Sequence, residues 1–345
     1  MFHSRSLACK KPYGASPAGE PVEFTVYPRR EHSVSRLTLW VEEDGQQAAA
    51  YPMRWFGLVG ARDEYGASFT PPHSGLYWYW FTFDTADGPH FCARGYGGRS
   101  EVLDSMGDRY QLTVYDPAYQ PPRWFGEGIT YNIFPDRFCR DREPVQPEGE
   151  GIAPRVLHEN WDDLPVYRPD EHGEILNNDF FGGTLRGVME KLDYLESLHV
   201  QTIYFNPIFQ AYSNHRYDTG DYKRIDPLLG SEEDFKTLCE QAKKRGMRVV
   251  LDGVFNHTGY DSRYFNGHGR YDSLGAHQSK DSPYYPWFDF FEWPDKYGSW
   301  WGIYTLPQVN EHNEDYQNYI FRDADSVVRR WLRLGASGWR LDVAD

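Results

Sequence analysis

The chain has few of the features that mark an extracellular or membrane protein. It holds four cysteines among 345 residues, at positions 9, 92, 139 and 239, and no CxxC pair, which is typical of a reduced chain. No apolar run is long enough to cross a membrane, and the first 15 residues contain no apolar segment like that of a signal peptide. These absences predict a cytoplasmic protein with no membrane partner.

Positive charge is also scarce. The chain has 36 Lys and Arg residues against 51 Asp and Glu residues, which gives a formal net charge of −15. Nucleic acids and anionic membranes require clusters of Lys and Arg, so neither is an expected partner. Aromatic residues, in contrast, make up 17% of the chain, including 12 Trp and 26 Tyr. Sugar rings pack on aromatic faces, so this composition fits a neutral polyhydroxylated substrate.

The first third of the chain has the pattern of a β domain. Short aromatic and β-branched segments such as SRLTLWVEE and SGLYWYWFTF alternate with the turn formers EEDG, PPHSG and TADG. We predict an N-terminal all-β domain over residues 1–120, built as a small antiparallel immunoglobulin-like sandwich. The Pro-containing stretch 116–124 is the predicted linker.

From residue 121 onward, strands and helices alternate. Apolar segments predict strands at 128–135, 201–207, 247–254 and 336–344, and helical spacing predicts helices at 184–198, 231–246 and 314–334. The second helix has Ser231 and Asp234 as a capping box and Gly246 as its stop. This alternation predicts an α/β unit with a parallel sheet. The long stretch 256–312, which is rich in Tyr, Trp and Asp, is predicted to be a functional insertion.

Polar residues cluster where these strands end. Asn206 follows the second strand, Asp252 lies near the end of the third, and Arg340 and Asp342 lie near the end of the fourth. Residues two apart in a strand share a face, so Arg340 and Asp342 point the same way. A guanidinium beside a carboxylate keeps it ionised, as a nucleophile must be. Taken singly, the pair could equally be a structural ion pair, and Asp252 a turn cap.

Several segments together resemble the alpha-amylase family of glycoside hydrolases. DGVFNH (252–257) and GWRLDVAD (338–345) are similar to two of its signature regions. YNIFPDRF, DFFGGTLRG and NHRYDTGDY, in the same order along the chain, resemble its neopullulanase, cyclomaltodextrinase and amylopullulanase branch. The resemblance implies a (β/α)8 TIM barrel, of which residues 121–345 supply about the first four units. It also implies an inserted domain at 256–312, after the third strand, and it fits the preceding β domain.

The resemblance also implies a chemistry. The family hydrolyses α-glucosidic bonds with retention of configuration, using two carboxyl groups about 5–5.5 Å apart. By motif position, Asp342 matches the nucleophile and Arg340 the arginine that orients it. The residues that match or adjoin the sugar-binding positions are Asn206, Tyr217, Asp218, Asp252 and His257. Expected substrates are maltooligosaccharides, pullulan, cyclodextrin or starch.

Other positions match the family less well. No cofactor is required, but Asn256 matches a position that binds calcium in some amylases. The calcium-binding run that often follows the first strand is replaced by CRDREPVQPEGEGIAP (139–154), which lacks its Gly, Asn and Asp pattern. Asp345 stands where many amylases have Lys. The general acid of the family belongs to the fifth strand, so we expect this chain to be a fragment that is inactive alone.

Two alternative functions fit the same residues. One is a transglycosylase or isomerase of the same family, in which the acceptor site and not the catalytic residues decides the product. The other is a non-catalytic α-glucan-binding remnant. In this branch the N-terminal domain often contributes to a dimer, so a homodimer is also possible.

Overall fold

The computed structural model describes residues 1–343 of the chain. The chain divides into two compact units, Met1–Pro122 and the part that begins at Arg123. None of the helices in the described part is both long and apolar enough to span a bilayer.

The first unit contains eleven strands in two sheets. They are β1 Lys10–Lys11, β2 Ser16–Pro17, β3 Val22–Val26, β4 Ser35–Glu43, β5 Ala49–Pro52, β6 Arg54–Val59, β7 Arg62–Phe69, β8 Gly75–Thr85, β9 Gly88–Arg94, β10 Ser100–Leu103 and β11 Tyr110–Tyr115. One sheet has the order β1-β3-β7-β6; the other has the order β10-β9-β8-β11-β2, with β4 pairing both β8 and β5. All pairs are antiparallel except β11 with β2.

The two sheets share one apolar core. In β3 the buried residues alternate with more exposed ones, so Val22, Phe24 and Val26 face inward. They belong to the same buried cluster as Tyr79 and Phe81 of β8, which is in the other sheet. The all-β prediction for this part is therefore confirmed in its secondary structure, and its immunoglobulin-like class stays a prediction.

The second unit contains ten strands and five α-helices. The strands are β12 Ile129–Ile133, β13 Val156–Leu157, β14 Asp179–Phe180, β15 Val200–Phe205, β16 Phe209–Ala211, β17 Thr219–Ile225, β18 Arg248–Gly253, β19 Phe290–Glu292, β20 Lys296–Tyr297 and β21 Gly338–Leu341. The helices are α1 Leu185–Glu190, α2 Leu192–Ser197, α3 Glu232–Lys244, α4 Glu314–Gln317 and α5 Val327–Arg333. Strands β12, β15, β18 and β21 form a parallel sheet in that order.

Neighbouring parallel strands need a long crossover connection, and helices lie in each of the connections between these strands. Helix α3 begins at the predicted capping box of Ser231 and Asp234, and Gly246 follows its end with φ +78°. The predicted helix 184–198 is divided at Lys191 into α1 and α2.

The predicted single helix 314–334 is wrong. It consists of α4, a π-helical turn at Asn318–Arg322 and α5, because Asp323 and Ser326 are extended. Asp and Ser favour such turns, since their side chains compete for backbone hydrogen bonds.

The stretch 256–312 consists mostly of turns, with the short β19–β20 hairpin. Its aromatic side chains are buried in one cluster with those of the parallel sheet, including Tyr264, Phe265, Trp287 and Phe288. This packing fixes the segment beside the parallel sheet. The segment begins just after β18 ends.

Candidate active site

Three neighbouring strands of the parallel sheet place polar side chains at one edge. Asn206 follows β15, Asp252 is the next-to-last residue of β18, and Asp342 follows β21, which carries Arg340. The carboxyl ends of parallel strands meet at the same edge of a sheet, and this edge carries the site in parallel α/β proteins. Register supports the arrangement, because Asp252 pairs directly with Arg340 across β18 and β21.

Asp252 is a fully buried carboxylate surrounded by donors. Its Oδ1 accepts a hydrogen bond from Arg340 Nη1 at 3.0 Å. Its Oδ2 accepts from the Tyr217 hydroxyl at 2.8 Å and from the Tyr204 hydroxyl. All three partners are hydrogen-bond donors, so Asp252 is placed to accept hydrogen bonds on both of its oxygens.

Asp342 differs from Asp252 in its access to solvent. The same Arg340 Nη1 donates to Asp342 Oδ1 at 2.5 Å, so one nitrogen bridges the two carboxylates. The Asp342 side chain is 17% exposed and that of Asp252 is 0% exposed. Within residues 1–343, Arg340 is the one side chain that donates to Asp342, which leaves its second oxygen open. An ionised, oriented and accessible oxygen is what a carboxylate nucleophile requires.

The two carboxylates hold Arg340 in its charged form. Partial burial acts to lower the pKa of Arg340, but the hydrogen bond and the charge of Asp252, with the bond to Asp342, outweigh burial and raise the pKa. The same negative charge acts on Tyr217. Burial, followed by the charge of Asp252, raises the pKa of Tyr217 to about 12. Tyr217 therefore stays a neutral donor at physiological pH.

A line of side-chain amides continues from Tyr217. Asn206 Nδ2 donates to the Tyr217 hydroxyl at 3.2 Å, and Asn132 Nδ2 donates to Asn206 Oδ1 at 2.9 Å. Asn132 lies on β12, so the first strand of the sheet also contributes to this edge. The predicted residues Asn206, Tyr217, Asp252, Arg340 and Asp342 are thus brought together in one hydrogen-bonded group.

His257 lies beside this group without bonding to its carboxylates. The ring is 1% exposed and is stacked on Trp300, with centroids 5.4 Å apart. Burial lowers the pKa of His257, against the opposing negative charge of Asp342. A neutral imidazole at this place can accept or donate a hydrogen bond to a sugar hydroxyl.

Asp218 is hydrogen-bonded within its own loop. Its carboxylate accepts hydrogen bonds from the backbone N–H of Ser213, at 3.1 Å, and from the Ser213 hydroxyl. Asp218 therefore closes the 213–218 loop, which carries Tyr217, and it makes no hydrogen bond to Asp252 or Arg340 within the described residues. A role in substrate binding stays a prediction.

A buried ionic group supports the same loop. Asp226 lies between two arginines, with Arg155 Nη2 at 2.7 Å and Arg216 Nε at 3.3 Å. Burial acts to raise the pKa of Asp226, but Arg216 and Arg155 outweigh it and lower the pKa to about 2. Arg216 precedes Tyr217 and has φ +61°, a left-handed conformation that costs energy in a side-chain-bearing residue. The ion pairs hold it there.

Asn256 lies between Glu311 and His257. Its Nδ2 donates to Glu311 Oε1 at 3.0 Å, and its Oδ1 faces His257 Nδ1 at 3.3 Å. Calcium needs six to eight oxygen ligands. Within residues 1–343 no group of three or more His, Cys, Asp or Glu side chains is placed to hold a metal ion. Calcium binding at Asn256 stays a prediction, and no step is derived through it.

Sequence reasoning missed Tyr204 and Asn132. Tyr204 lies two residues before Asn206, so the period of two along a strand already placed both on one face. Asn132 lies in the segment TYNIF, where a polar residue within an apolar strand indicated a contact at the sheet edge. Trp300 gave no such signal, because its contact with His257 depends on the fold of residues 256–312.

The chain is similar to proteins of known activity. A family model described as the alpha amylase catalytic domain matches residues 132–345. An amylopullulanase from Thermoanaerobacter thermohydrosulfuricus is 35% identical over 97% of this chain and 25% of that protein. An intracellular maltogenic amylase from Bacillus subtilis (strain 168) is 34% identical over 88% of this chain and 48% of that protein.

A solved structure gives the same result. The type III pullulan hydrolase from Thermococcus kodakarensis matches with a TM-score of 0.55 and 28% identity, over 99% of this chain and 55% of that one. The chain thus spans between a quarter and about half of the length of these relatives. The signature segments at 252–257 and 338–345 correctly predicted the result: the chain belongs to the alpha-amylase family.

Proposed function

We propose that the protein hydrolyses α-glucosidic bonds in maltooligosaccharides or related α-glucans, with retention of configuration, through a covalent glycosyl-Asp342 intermediate. The observation that carries the proposal is the single Arg340 nitrogen that bridges Asp252 and Asp342 at the strand ends. Within residues 1–343 it leaves Asp342 with an open oxygen beside the buried Asp252. The substrate class rests on relatives named amylopullulanase and maltogenic amylase.

The first step is displacement at the anomeric carbon. The open oxygen of Asp342 forms an ester bond to that carbon, and the bond to the leaving glucosidic oxygen breaks. Arg340 holds the other Asp342 oxygen. The leaving oxygen takes a proton from a general acid. In the second step the oxygen of a water molecule bonds to the anomeric carbon, the ester bond breaks to return Asp342 as a carboxylate, and the proton of the water goes to the conjugate base of the general acid.

We propose that Asp252 is not that general acid, because its oxygens already accept hydrogen bonds from Arg340, Tyr204 and Tyr217. We propose that Asp252 binds hydroxyl groups of the reacting sugar, with Tyr217 and the neutral His257 beside it. We place the general acid outside residues 1–343, so the 345-residue chain alone should not hydrolyse maltotriose.

We also propose that β12, β15, β18 and β21 are the first four strands of a (β/α)8 barrel. Their parallel order and the helices between successive strands support this architecture, as does the solved relative from Thermococcus kodakarensis. The position of the polar residues at the carboxyl ends is the position of active sites in such barrels.

Covalent labelling tests the nucleophile without the general acid. 5-Fluoro-α-D-glucosyl fluoride carries a leaving group that needs little protonation, and its ring fluorine slows breakdown of the ester. Incubated with this chain, it should add one fluoroglucosyl group to the peptide that contains Asp342, as measured by mass spectrometry. The Asp342→Asn variant should not be labelled.

Other outcomes are equally informative. A label on any other carboxylate would refute the assignment of Asp342. Absence of any label, with cyclodextrin still binding to the chain in calorimetry, would replace the hydrolase with the non-catalytic glucan-binding alternative. Absence of both label and binding would contradict the proposed substrate class.

A further inference from the structure

A second group of carboxylates lies at the base of residues 139–183, the excursion between β12 and α1. The short parallel pair β13–β14 brings the two ends of this excursion together. It places His158, which follows β13, beside Asp179, which begins β14. Asp136 lies in the turn after β12, and its carboxylate is fully buried.

Asp179 accepts donors on both of its carboxylate oxygens. Its Oδ1 accepts a hydrogen bond from Asn214 Nδ2 at 3.0 Å. Its Oδ2 lies 3.0 Å from His158 Nε2 and accepts from the Val166 backbone N–H at 3.0 Å. Arg137 Nη2 lies 3.5 Å from the same oxygen. Three of the four contacts share Oδ2, so at most one acceptor site remains, on Oδ1.

Asp136 accepts three donors, which leaves one acceptor site on Oδ1. Its Oδ2 accepts from the backbone N–H of Phe181 at 3.0 Å and from Arg137 Nε at 3.2 Å. Its Oδ1 accepts from the backbone N–H of Gly182 at 3.2 Å. Arg137 therefore lies between the two buried carboxylates and supplies one positive charge to both.

His158 lies between two carboxylates. Its Nε2 lies 3.0 Å from Asp179 Oδ2, and its Nδ1 lies 3.4 Å from Asp163 Oδ2. A carboxylate accepts hydrogen bonds, so whichever ring nitrogen carries a proton has an acceptor. The ring is also stacked on Phe181, with centroids 4.0 Å apart, which fixes its plane.

We propose that this group, the excursion latch (Asp136, Arg137, His158, Asp163 and Asp179), holds residues 139–183 through its own hydrogen bonds and the Arg137 cation, so that the excursion needs no calcium. Calcium takes six to eight oxygen ligands, whereas the buried carboxylates of Asp136 and Asp179 keep at most one free acceptor site each and already have the Arg137 guanidinium between them. The resemblance to the branch implies an ion near this place, and the latch is where this chain departs from it.

The latch also reaches the loop that carries Tyr217. Asn214 Nδ2 donates both to the backbone carbonyl and to the carboxylate of Asp179, each at 3.0 Å. The backbone N–H of Asn214 donates to the carbonyl of Asn177 at 2.6 Å. The excursion therefore fixes the 213–218 loop from one side, while the Arg216 ion pair fixes it from the other.

Thermal unfolding of the 345-residue chain tests calcium independence. The unfolding temperature should be the same in EDTA and in millimolar calcium. A specific calcium site would instead raise it by several degrees, on the order expected for a ligand well above its dissociation constant. Such a rise would overturn the proposal. So would saturable terbium binding, seen as sensitised luminescence, that is abolished by Asp179→Asn.

A pair of histidine variants tests the latch itself. His158→Gln removes the ring that lies between Asp179 and Asp163 and should lower the unfolding temperature in EDTA and in calcium alike. The matched control is His172→Gln, because His172 lies in the same excursion and its side chain is 75% exposed. Equal unfolding temperatures for the two variants would refute the role of His158. If His158→Gln does not fold, terbium binding to the unmodified chain still decides the question.

Discussion

Two groups of side chains in the second unit contain the same residue types and differ in what remains open. The strand-end group, Asp252, Arg340 and Asp342, shares one arginine between two carboxylates, and so does the excursion latch. In the latch, the shared carboxylates have three contacts (Asp136) and four contacts (Asp179) with donor groups, and the Asp179 side chain is 2% exposed. In the strand-end group, Asp342 receives one side-chain donor within residues 1–343 and is 17% exposed. The number of occupied lone pairs separates a structural carboxylate from a reactive one.

Removing the open carboxylate should have the largest effect. With α-maltosyl fluoride, which needs no strong acid, Asp342→Asn should lower the turnover rate about 10⁴-fold or more, since the nucleophile is lost. Asp193→Asn, on the surface of α2, is the control and should leave the rate unchanged. Fluoride release measures both. Equal rates for Asp342→Asn and the parent chain would show that the open carboxylate of Asp342 is no more reactive than the carboxylates of the latch.

Removing a filled carboxylate should affect stability instead. Asp179→Ala leaves Arg137 and His158 buried without their shared partner, which should lower the free energy of unfolding by about 3–5 kcal/mol. Asp342→Ala should change it by about 1 kcal/mol or less, because that pair is partly exposed. Urea denaturation followed by tryptophan fluorescence measures both values. A larger loss for Asp342→Ala than for Asp179→Ala would reverse the assignment.

Opening one lone pair of Asp252 should have an intermediate effect. Tyr217→Phe removes the hydroxyl that donates to Asp252 at 2.8 Å. We expect kcat/KM for α-maltosyl fluoride to fall about tenfold, which corresponds to about 1.4 kcal/mol. The hydroxyl of Tyr27, in the first unit, provides the control as Tyr27→Phe. No difference between the two variants would mean that Asp252 does not need all of its donors.

The smallest effect concerns acid stability. Burial acts to raise the pKa of Asp179, but the Val166 N–H, His158 and Arg137 outweigh it and lower the pKa. This contribution to stability is fully present above the unfolded value of about 3.9 and is lost as the pH falls through the folded value. Below about pH 4, the free energy of unfolding of Asp179→Asn should therefore change less with pH than that of the parent chain. Parallel curves for the two proteins would show that Asp179 contributes nothing there.

The strand-end group could be predicted from the sequence because its logic is local. A strand has a period of two, and parallel strands end at one edge, so Asn206, Asp252, Arg340 and Asp342 were placed together by their positions alone. The capping box of α3 is equally local, since it needs only Ser231 and Asp234.

The latch could not be predicted in this way. His158 lies 21 residues from Asp179, in an excursion without periodicity, and only the β13–β14 pair brings them together. The break in the predicted helix 314–334 was also missed. Its apolar spacing was correct at both ends, but the Asp and Ser residues between α4 and α5 favoured turn geometry over helix.

The bridge from Arg340 to Asp252 spans 88 residues of chain. Closing so long a loop costs entropy, and the cost is recovered only when β21 docks beside β18. The reactive group is therefore among the last contacts that a folding chain can complete, because such non-local contacts form slowly. A nascent or partly folded chain contains all of these residues but has no oriented nucleophile. The ability to react therefore indicates that folding is complete.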